Sequence, residues 1–313
     1  MVHIDEATVR QILSIGKAID LLAHAFRDLS CGAAQSQPRR RLTLSNGATL
    51  HQMAGAHGGY FGTKVYSTHP KHGAWFLFIL YDAETAMPLA LIDANWLGQI
   101  RTGAASGLAT RWLAREDAQT VAVLGTGFQA SSQLEAVMAV RSIKAVSVWS
   151  RTPEHRHAFA RNYPNAAPMP SVEAALVDAD IVITATSSKE PLFDADLIRP
   201  GTHLNAVGSN SPTRRELPAE LLQKADRIAV DSIEQAKIEA GDLLLGLPED
   251  NWAKLEPLHT HPRRKSRTEI TVFKSVGLGL EDVAVGAYVY EQALDQGLTM
   301  PLPLFADAGL TNR

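Results

Sequence analysis

The feature that most constrains the fold is a glycine-rich turn between an apolar run and a helical pattern. Residues 121–124 are apolar, and Gly125-Thr126-Gly127-Phe128-Gln129-Ala130 follows as G-x-G-x-x-A. The first glycine permits a tight turn, the second lets backbone amides approach a pyrophosphate, and the alanine lets the helix pack close to the strand. A glycine triplet alone also fits an ordinary turn, but the strand–turn–helix context favours a dinucleotide site.

Strands and helices alternate from about residue 120 onward, which predicts a parallel sheet with right-handed crossovers. The predicted strands are residues 121–124, 145–149, 181–184, 203–207 and 227–230, and the predicted helices between the first of them are 128–140, 153–161 and 172–177. This part of the chain is therefore expected to form a Rossmann-type domain.

The first 115 residues predict a different architecture. Apolar spacing indicates a helix over 5–30 and a second over 102–114. Between them, predicted strands occupy residues 40–44, 49–53, 60–66, 75–81 and 88–93, and Asn46-Gly47 is a hairpin turn signal. We expect an α/β chain: an α+β domain with a mostly antiparallel sheet over 1–115, joined by the C-terminal segment of about 290–313, and a Rossmann domain over 116–289. A helix predicted over residues 282–298 would bring the chain back to the first domain.

The residues after the second parallel strand bear on the choice of cofactor. An NAD site normally has an acid there, which binds the ribose 2′-hydroxyl. This chain has Ser150-Arg151-Thr152. Arg151 is suited to pair with a 2′-phosphate, although a solvated surface arginine is the alternative. NADP(H) is predicted to be preferred, with NAD(H) possible. The predicted cofactor contacts are Gly125, Thr126, Gly127, Phe128, Gln129, Ala130, Ser150, Arg151, Thr152, Thr184, Ala185, Thr186, Val207 and Ser275.

Charge and cysteine content exclude several classes of protein. The net charge is −3, and the basic residues are scattered apart from the runs 39–41 and 263–265, so we expect no nucleic-acid partner. A single cysteine, Cys31, excludes an internal disulfide and a cysteine-rich zinc site, and no metal site is predicted. No leader pattern and no apolar run long enough to span a bilayer are visible. A cytoplasmic protein without a membrane partner is expected.

Three segments resemble the ornithine cyclodeaminase and mu-crystallin superfamily. They are residues 62–65 with Thr68-His69-Pro70 after them, residues 100–109, and residues 272–282. The resemblance implies a dimerisation domain whose sheets join across a two-fold axis, a Rossmann domain, and a substrate cleft between them. A homodimer is therefore expected.

The resemblance also implies a small amino or imino acid whose carboxylate is held by cations. Arg40, Lys64 and Arg101 match those positions by order and spacing. Lys64 lies in an apolar strand, where an unpaired lysine is costly. The alternative for Arg101 is a surface ion pair. Which of residues 39–41 faces the cleft stays open, because alternate residues of a strand face opposite sides.

Asn210 stands where the cyclodeaminases carry an aspartate, and it cannot ionise. Together with the missing ribose acid, this departure favours the reductase branch of the superfamily. The expected activity is NADPH-dependent reduction of a cyclic ketimine carboxylate, with Lys64 binding the carboxylate or supplying a proton and Asn210 hydrogen-bonding the substrate or its bound water. His51 is a further candidate substrate contact, or a structural histidine. Ring size and physiological direction stay open.

Two other activities remain as alternatives. One is ornithine cyclodeaminase or alanine-dehydrogenase-like amino-acid oxidoreductase activity. The other is a non-catalytic NADPH-binding protein.

Overall fold

The computed structural model describes residues 1–304. The described helices are α1 (Glu6–Ile12), α2 (Ile15–Ser30), α3 (Asn95–Leu113), α4 (Phe128–Val140), α5 (Pro153–Ala160), α6 (Val172–Leu176), α7 (Ala219–Lys224), α8 (Ile233–Glu239), α9 (Gly241–Gly246) and α10 (Gly279–Asp295). The described strands are β1 (Val2–Ile4), β2 (Gln35–Ser36), β3 (Arg40–Thr43), β4 (Thr49–His57), β5 (Tyr60–His69), β6 (Gly73–Asp82), β7 (Pro88–Asp93), β8 (Thr120–Leu124), β9 (Ala145–Trp149), β10 (Ala166–Pro168), β11 (Ile181–Thr184), β12 (His203–Ala206), β13 (Arg227–Val230), β14 (Leu255–Pro257), β15 (Thr271–Lys274) and β16 (Met300–Pro301).

The first sheet is mostly antiparallel, as the sequence predicts. Its order is β16-β1-β7-β6-β5-β4-β2, with β3 also paired to β4, and only β1 and β7 run parallel. Side chains alternate across it, so that Phe78 and Leu80 of β6 are fully buried while Trp75 and Leu77 are exposed. The buried face packs against α2, α3 and α10, and a single apolar core lies between them.

The second sheet is parallel throughout, with the order β10-β9-β8-β11-β12-β15-β13-β14. Its central strands are buried on both faces, which explains their continuous apolar runs. The α/β class with a Rossmann-type sheet is confirmed. The carboxyl ends of β8, β9, β11 and β12 meet at one edge, where ligands of such sheets bind.

Helix α3 contacts both sheets. It begins at Asn95, seven residues before the predicted start, because its first turns are buried on almost every side and show no amphipathic period. At its other end, Thr110 Oγ1 accepts a hydrogen bond from Asn205 Nδ2 of β12 at 2.9 Å. Gly103 lets α3 approach α4 closely, since a Cβ there would lie 2.5 Å from the Ser132 carbonyl oxygen.

Helix α10 returns the chain to the first sheet at Gly279. A Cβ at Gly279 would lie 2.4 Å from the Ala54 carbonyl oxygen, and one at Gly55 would lie 2.5 Å from the Leu280 nitrogen. The helix therefore contacts β4 backbone to backbone from its first turn. The expected domain boundary at about residue 290 falls inside α10. We therefore propose that the chain rejoins the first domain at residue 279. The expected extension beyond residue 304 lies outside the described residues.

Candidate functional site

Two adjoining cavities lie in the cleft between the sheets. The nucleotide cavity, of about 490 Å³, is bounded by the carboxyl ends of β8, β9 and β11. The inner cavity, of about 370 Å³, is bounded by β4, β5 and α3. Four residues border both cavities: Phe128, Gln129, Val207 and Gly208. A ligand in one cavity can therefore reach a ligand in the other.

The glycine-rich turn shapes the nucleotide cavity as a cradle for an anion. Gly125 has a φ of +104°, and a Cβ there would lie 2.3 Å from the Ala185 carbonyl oxygen. Gly127 has open space where a Cβ would be. It begins α4 with no capping side chain and no acid in the first turn, so free amides and the positive end of the helix face the cavity. These residues fit a pyrophosphate.

The turn after β9 borders the far end of the nucleotide cavity. Arg151 is exposed there, His155 adds a second nitrogen-bearing side chain, and no described lining residue is acidic. The Ser150 hydroxyl donates to the Thr152 carbonyl oxygen at 3.0 Å, which holds the turn. This end favours a negatively charged group.

Most predicted cofactor residues line the nucleotide cavity, and three do not. Those that do are Gly125, Thr126, Gly127, Phe128, Gln129, Ser150, Arg151, Thr152, Ala185, Thr186 and Val207. The structure corrects the expectation for Thr184, because it is fully buried and donates to Glu216 Oε2 at 2.8 Å. Ala130 is a fully buried residue of α4 and acts through packing. Ser275 lines the inner cavity and donates to Asp231 Oδ2 at 2.9 Å.

Glu216 binds backbone amides at the boundary between the two cavities, and no sequence pattern indicates this role. Its carboxylate accepts hydrogen bonds from the Thr186 amide at 2.6 Å and from the Gly208 amide at 2.9 Å. Burial raises the pKa of Glu216, and the nearby Lys274 opposes that shift. Lys274 is itself fully buried and pairs with Asp242 Oδ2 at 3.0 Å.

In the inner cavity, two buried cations meet at one carboxylate. Lys64 Nζ donates to Asp282 Oδ1 at 2.7 Å, and Arg101 Nε donates to the same oxygen at 3.0 Å. Arg101 Nη1 also donates to Glu281 Oε2 at 2.7 Å. The structure thus places Lys64 and Arg101 together. Asp282 and Glu281 were not singled out from the sequence, because paired acids at a helix start are usually solvated.

Burial sets the protonation of this cluster. It lowers the pKa of Lys64 to about 7, with Arg101 adding to the shift and Asp282 opposing it. It raises the pKa of Glu281 to about 7, against the effect of Arg101 and with added repulsion from Asp231 and Asp282. Burial also disfavours the charge of Arg101, but its two acidic partners raise its pKa overall, so Arg101 stays a cation.

The structure corrects the choice among the three arginines. Arg40 is exposed on the outer face of the first sheet, whereas Arg39 is only 6% exposed and lines the inner cavity. The two face opposite sides because the chain is extended there. Arg39 pairs with the buried Glu239 and donates to the Val276 carbonyl oxygen at 2.7 Å. Arg41 shares the inner side and also pairs with Glu239.

His51 and two aromatic rings form one wall of the inner cavity. His51 stacks on Tyr66 at 4.2 Å, and Tyr66 stacks on Phe76 at 4.8 Å, across three adjacent strands. Burial, followed by Arg41, lowers the pKa of His51 to about 4, so the ring is neutral near pH 7. Asn210 lines the same cavity at its exposed mouth.

None of the described helices is both long and apolar enough to cross a membrane. No group of three or more His, Cys, Asp or Glu side chains within residues 1–304 is arranged to hold a metal ion.

Comparison with known proteins gives consistent matches over almost the whole chain. The model of the ornithine cyclodeaminase/mu-crystallin family matches residues 1–297. Δ1-pyrroline-2-carboxylate reductase from Bacillus cereus is 34% identical, with 92% of this chain and 95% of the relative covered. The structure of the Thermococcus litoralis Δ1-pyrroline-2-carboxylate reductase in complex with NADH and L-proline superposes with a TM-score of 0.91 at 30% identity, covering 96% of this chain and 100% of that one. An archaeal alanine dehydrogenase dimer with bound NAD superposes with a TM-score of 0.90 at 31% identity, covering 96% and 99%.

Proposed function

Since the chain belongs to the ornithine cyclodeaminase/mu-crystallin family, we propose that it reduces a cyclic ketimine carboxylate to the cyclic amino acid with NADPH. The substrate would be Δ1-pyrroline-2-carboxylate or Δ1-piperideine-2-carboxylate. One observation carries the proposal: the buried cations Lys64 and Arg101 line a cavity that adjoins the dinucleotide cradle. A small anion bound to them would lie next to the cofactor.

The carboxylate of the imine would be held by the donors that the cluster leaves free. Lys64 has three N–H bonds and uses one for Asp282. Arg101 directs Nε and Nη1 to acids, while its Nη2 has no hydrogen bond to any residue within 1–304. Arg39 directs one N–H of each terminal nitrogen to Glu239 and to the Val276 carbonyl oxygen. Lys64 and Arg101, which meet at Asp282, form the carboxylate clamp, and Arg39 adds a further cation to the lining of the same cavity.

Reduction of C=N adds a hydride to carbon and a proton to nitrogen. A bound nicotinamide would supply the hydride. Lys64 is placed to supply the proton, because its lowered pKa of about 7 lets the ammonium give up a proton near neutral pH. Asp282 orients the amine for that transfer, and the stacked wall of His51, Tyr66 and Phe76 excludes water from one side of the imine.

The preference for NADPH rests on the residues after β9. Arg151 and His155 border the cavity, and none of its described lining residues is an acid that would repel a 2′-phosphate. The Thermococcus litoralis relative holds NADH, so this preference is a property proposed for this chain from its own side chains.

We also propose a homodimer joined through the outer face of the first sheet. Leu42, Leu50 and Trp75 are 64%, 38% and 58% exposed and fall in one cross-strand row, and Leu77 adds to the patch. An apolar patch of this kind on a sheet is a typical protein–protein contact. The archaeal alanine dehydrogenase is a dimer.

Steady-state oxidation of NADPH with the two imines tests the activity. Turnover with either imine, and none with pyruvate plus ammonia, is expected. Preferential amination of pyruvate would instead support an alanine dehydrogenase, the alternative favoured by the 0.90 superposition. Ammonia release from ornithine would identify a cyclodeaminase. Absence of turnover with every substrate would leave a nucleotide-binding protein.

A further inference from the structure

Glu281 is a buried acid that the proposed reaction does not use directly. It is fully buried, its Oε2 accepts from Arg101 Nη1 at 2.7 Å, and its Oε1 has no hydrogen-bond partner within residues 1–304. We infer that the substrate carboxylate enters the inner cavity together with one proton from solvent, and that Glu281 holds this proton. The inference rests on the proposed function, because it takes Lys64 and Arg101 as the carboxylate clamp.

The balance of charges in the clamp explains why a proton would be taken up when the substrate binds. While Lys64 is protonated and no ligand is bound, the cations Lys64 and Arg101 face the carboxylates of Asp282 and Glu281, two against two. A bound substrate adds a third carboxylate. An uncompensated charge in a buried site is costly, and the usual response is that one group neutralises. One proton restores the balance.

The proton goes to the acid with the fewest stabilising contacts. Asp282 Oδ1 accepts from two cations. Asp231 accepts from the Ser275 hydroxyl and from two backbone amides. Glu281 has only Arg101, and the incoming carboxylate competes for that guanidinium. Glu281 is thus a positioning residue that acts through Arg101.

Burial and two neighbouring acids favour the neutral form of Glu281, and Arg101 opposes them. The groups that act on Glu281 are Arg101 of α3, Asp282 of α10 and Asp231 after β13. The other charged or titratable groups of the cluster act on Arg101 or Lys64; they are Tyr66 of β5 and Arg39, which pairs with Glu239 of α8. Burial, with Asp231 and Asp282 adding to its effect, already raises the pKa of Glu281 to about 7. A third carboxylate raises it further, so protonation on binding is expected in neutral and mildly alkaline solution.

Calorimetry counts the proton directly. Lys64 is largely deprotonated at pH 8, so the measurement uses Lys64→Arg, which keeps the cation. This variant, saturated with NADPH, is titrated at pH 8 with pyrrole-2-carboxylate, a planar acid that cannot accept hydride, in two buffers of different ionisation enthalpy. Lys64→Arg, alone or with Glu281→Asp, which keeps a carboxyl group, should take up close to one proton. With Glu281→Gln, which is already neutral, Lys64→Arg should bind the acid and take up almost none. For wild type, Kd should rise about tenfold per pH unit well above pH 8.

Several outcomes would overturn the inference. Binding by Lys64→Arg without proton uptake would do so, as would undiminished uptake when Glu281→Gln is added, which would assign the proton to another group. If Glu281→Gln does not fold, a Kd of wild type that is independent of pH refutes the inference alone. Imine reduction without proton uptake leaves the proposed function standing. Failure of the acid to bind, with no imine reduction, removes both.

Discussion

Lys64 and Lys274 are both fully buried lysines, yet their neighbours predict opposite consequences of losing the charge. In Lys64→Met, Asp282 keeps Arg101 as a partner, so the melting temperature should stay near that of wild type. Turnover should fall about a hundred-fold or more, because the proton donor is gone. In Lys274→Met, Asp242 loses its cation, and stability should fall by about 3–5 kcal/mol. Thermal melts and steady-state kinetics on both variants separate these effects, and wild-type turnover by Lys64→Met would refute its role.

The pH dependence of imine reduction should report the ionisation of Lys64. Its pKa is lowered from 10.5 to about 7, so the cation is the main form below pH 7 and is lost above it. The value of kcat/KM for the imine, which reports the enzyme before the imine binds, should therefore fall as pH rises through 7, by up to about tenfold per pH unit. Lys64→Arg keeps a cation throughout and should lose that part of the fall. An unchanged profile in this variant would assign the titration to another group.

Arg151 should decide between the two nicotinamide cofactors. A charge-assisted hydrogen bond to the 2′-phosphate is worth about 1.5–3 kcal/mol, which corresponds to about ten- to a hundred-fold in affinity. Arg151→Ala should weaken NADPH by that factor and leave NADH nearly unchanged, measured as KM for each. Arg161, at the end of α5 and outside the nucleotide cavity, offers a control in Arg161→Ala. Equal use of both cofactors by wild type would contradict the proposal.

At the scale of elements, the glycines at the contact between β4 and α10 should be important for stability and for substrate binding. In Gly279→Ala the new Cβ meets the Ala54 carbonyl oxygen at 2.4 Å, so α10 must shift and carry Asp282 and Glu281 with it. We expect a loss of about 1–3 kcal/mol of stability and a higher KM for the imine. Gly16→Ala in α2 is the matched control, because its Cβ meets nothing within 4 Å. Equal melting temperatures and KM values for the two variants would show that the contact is not tight.

The sequence predicts elements well where periodicity is visible and poorly where it is not. The strand and helix that flank the glycine-rich turn, β8 and α4, lie where the pattern places them, because one is a short apolar run and the other begins at the motif. The short elements β1, β10, α7 and α9 have no period to detect. Which arginine faces the cleft depends on register, which a run of three identical residues cannot reveal. Asp282 of α10 contacts Lys64 across 218 positions of the chain, and only the tertiary fold shows that contact.

At the scale of the whole molecule, the outer face of the first sheet should hold two copies together. Trp75→Asp places a charge at the β6 end of the apolar row and should convert the dimer to a monomer in sedimentation at micromolar concentration. Met87, another exposed apolar residue, lies in the turn before β7, so Met87→Asp serves as the control and should stay dimeric. A monomeric wild type would contradict this assembly.

The position of α3 has a mechanical consequence for how the cleft can open. The helix is about 28 Å long; it carries Arg101 near its beginning and a hydrogen bond to β12 near its end. Almost every residue between is buried, and its backbone is pressed against α4 at Gly103. A hinge motion that separated the two sheets would have to detach α3 from one of them and expose its apolar side chains to water. The scaffold is therefore stiff along the line that joins the two cavities. Ligand entry and exit fall to the exposed rim of the cleft, at Gly208 and Asn210.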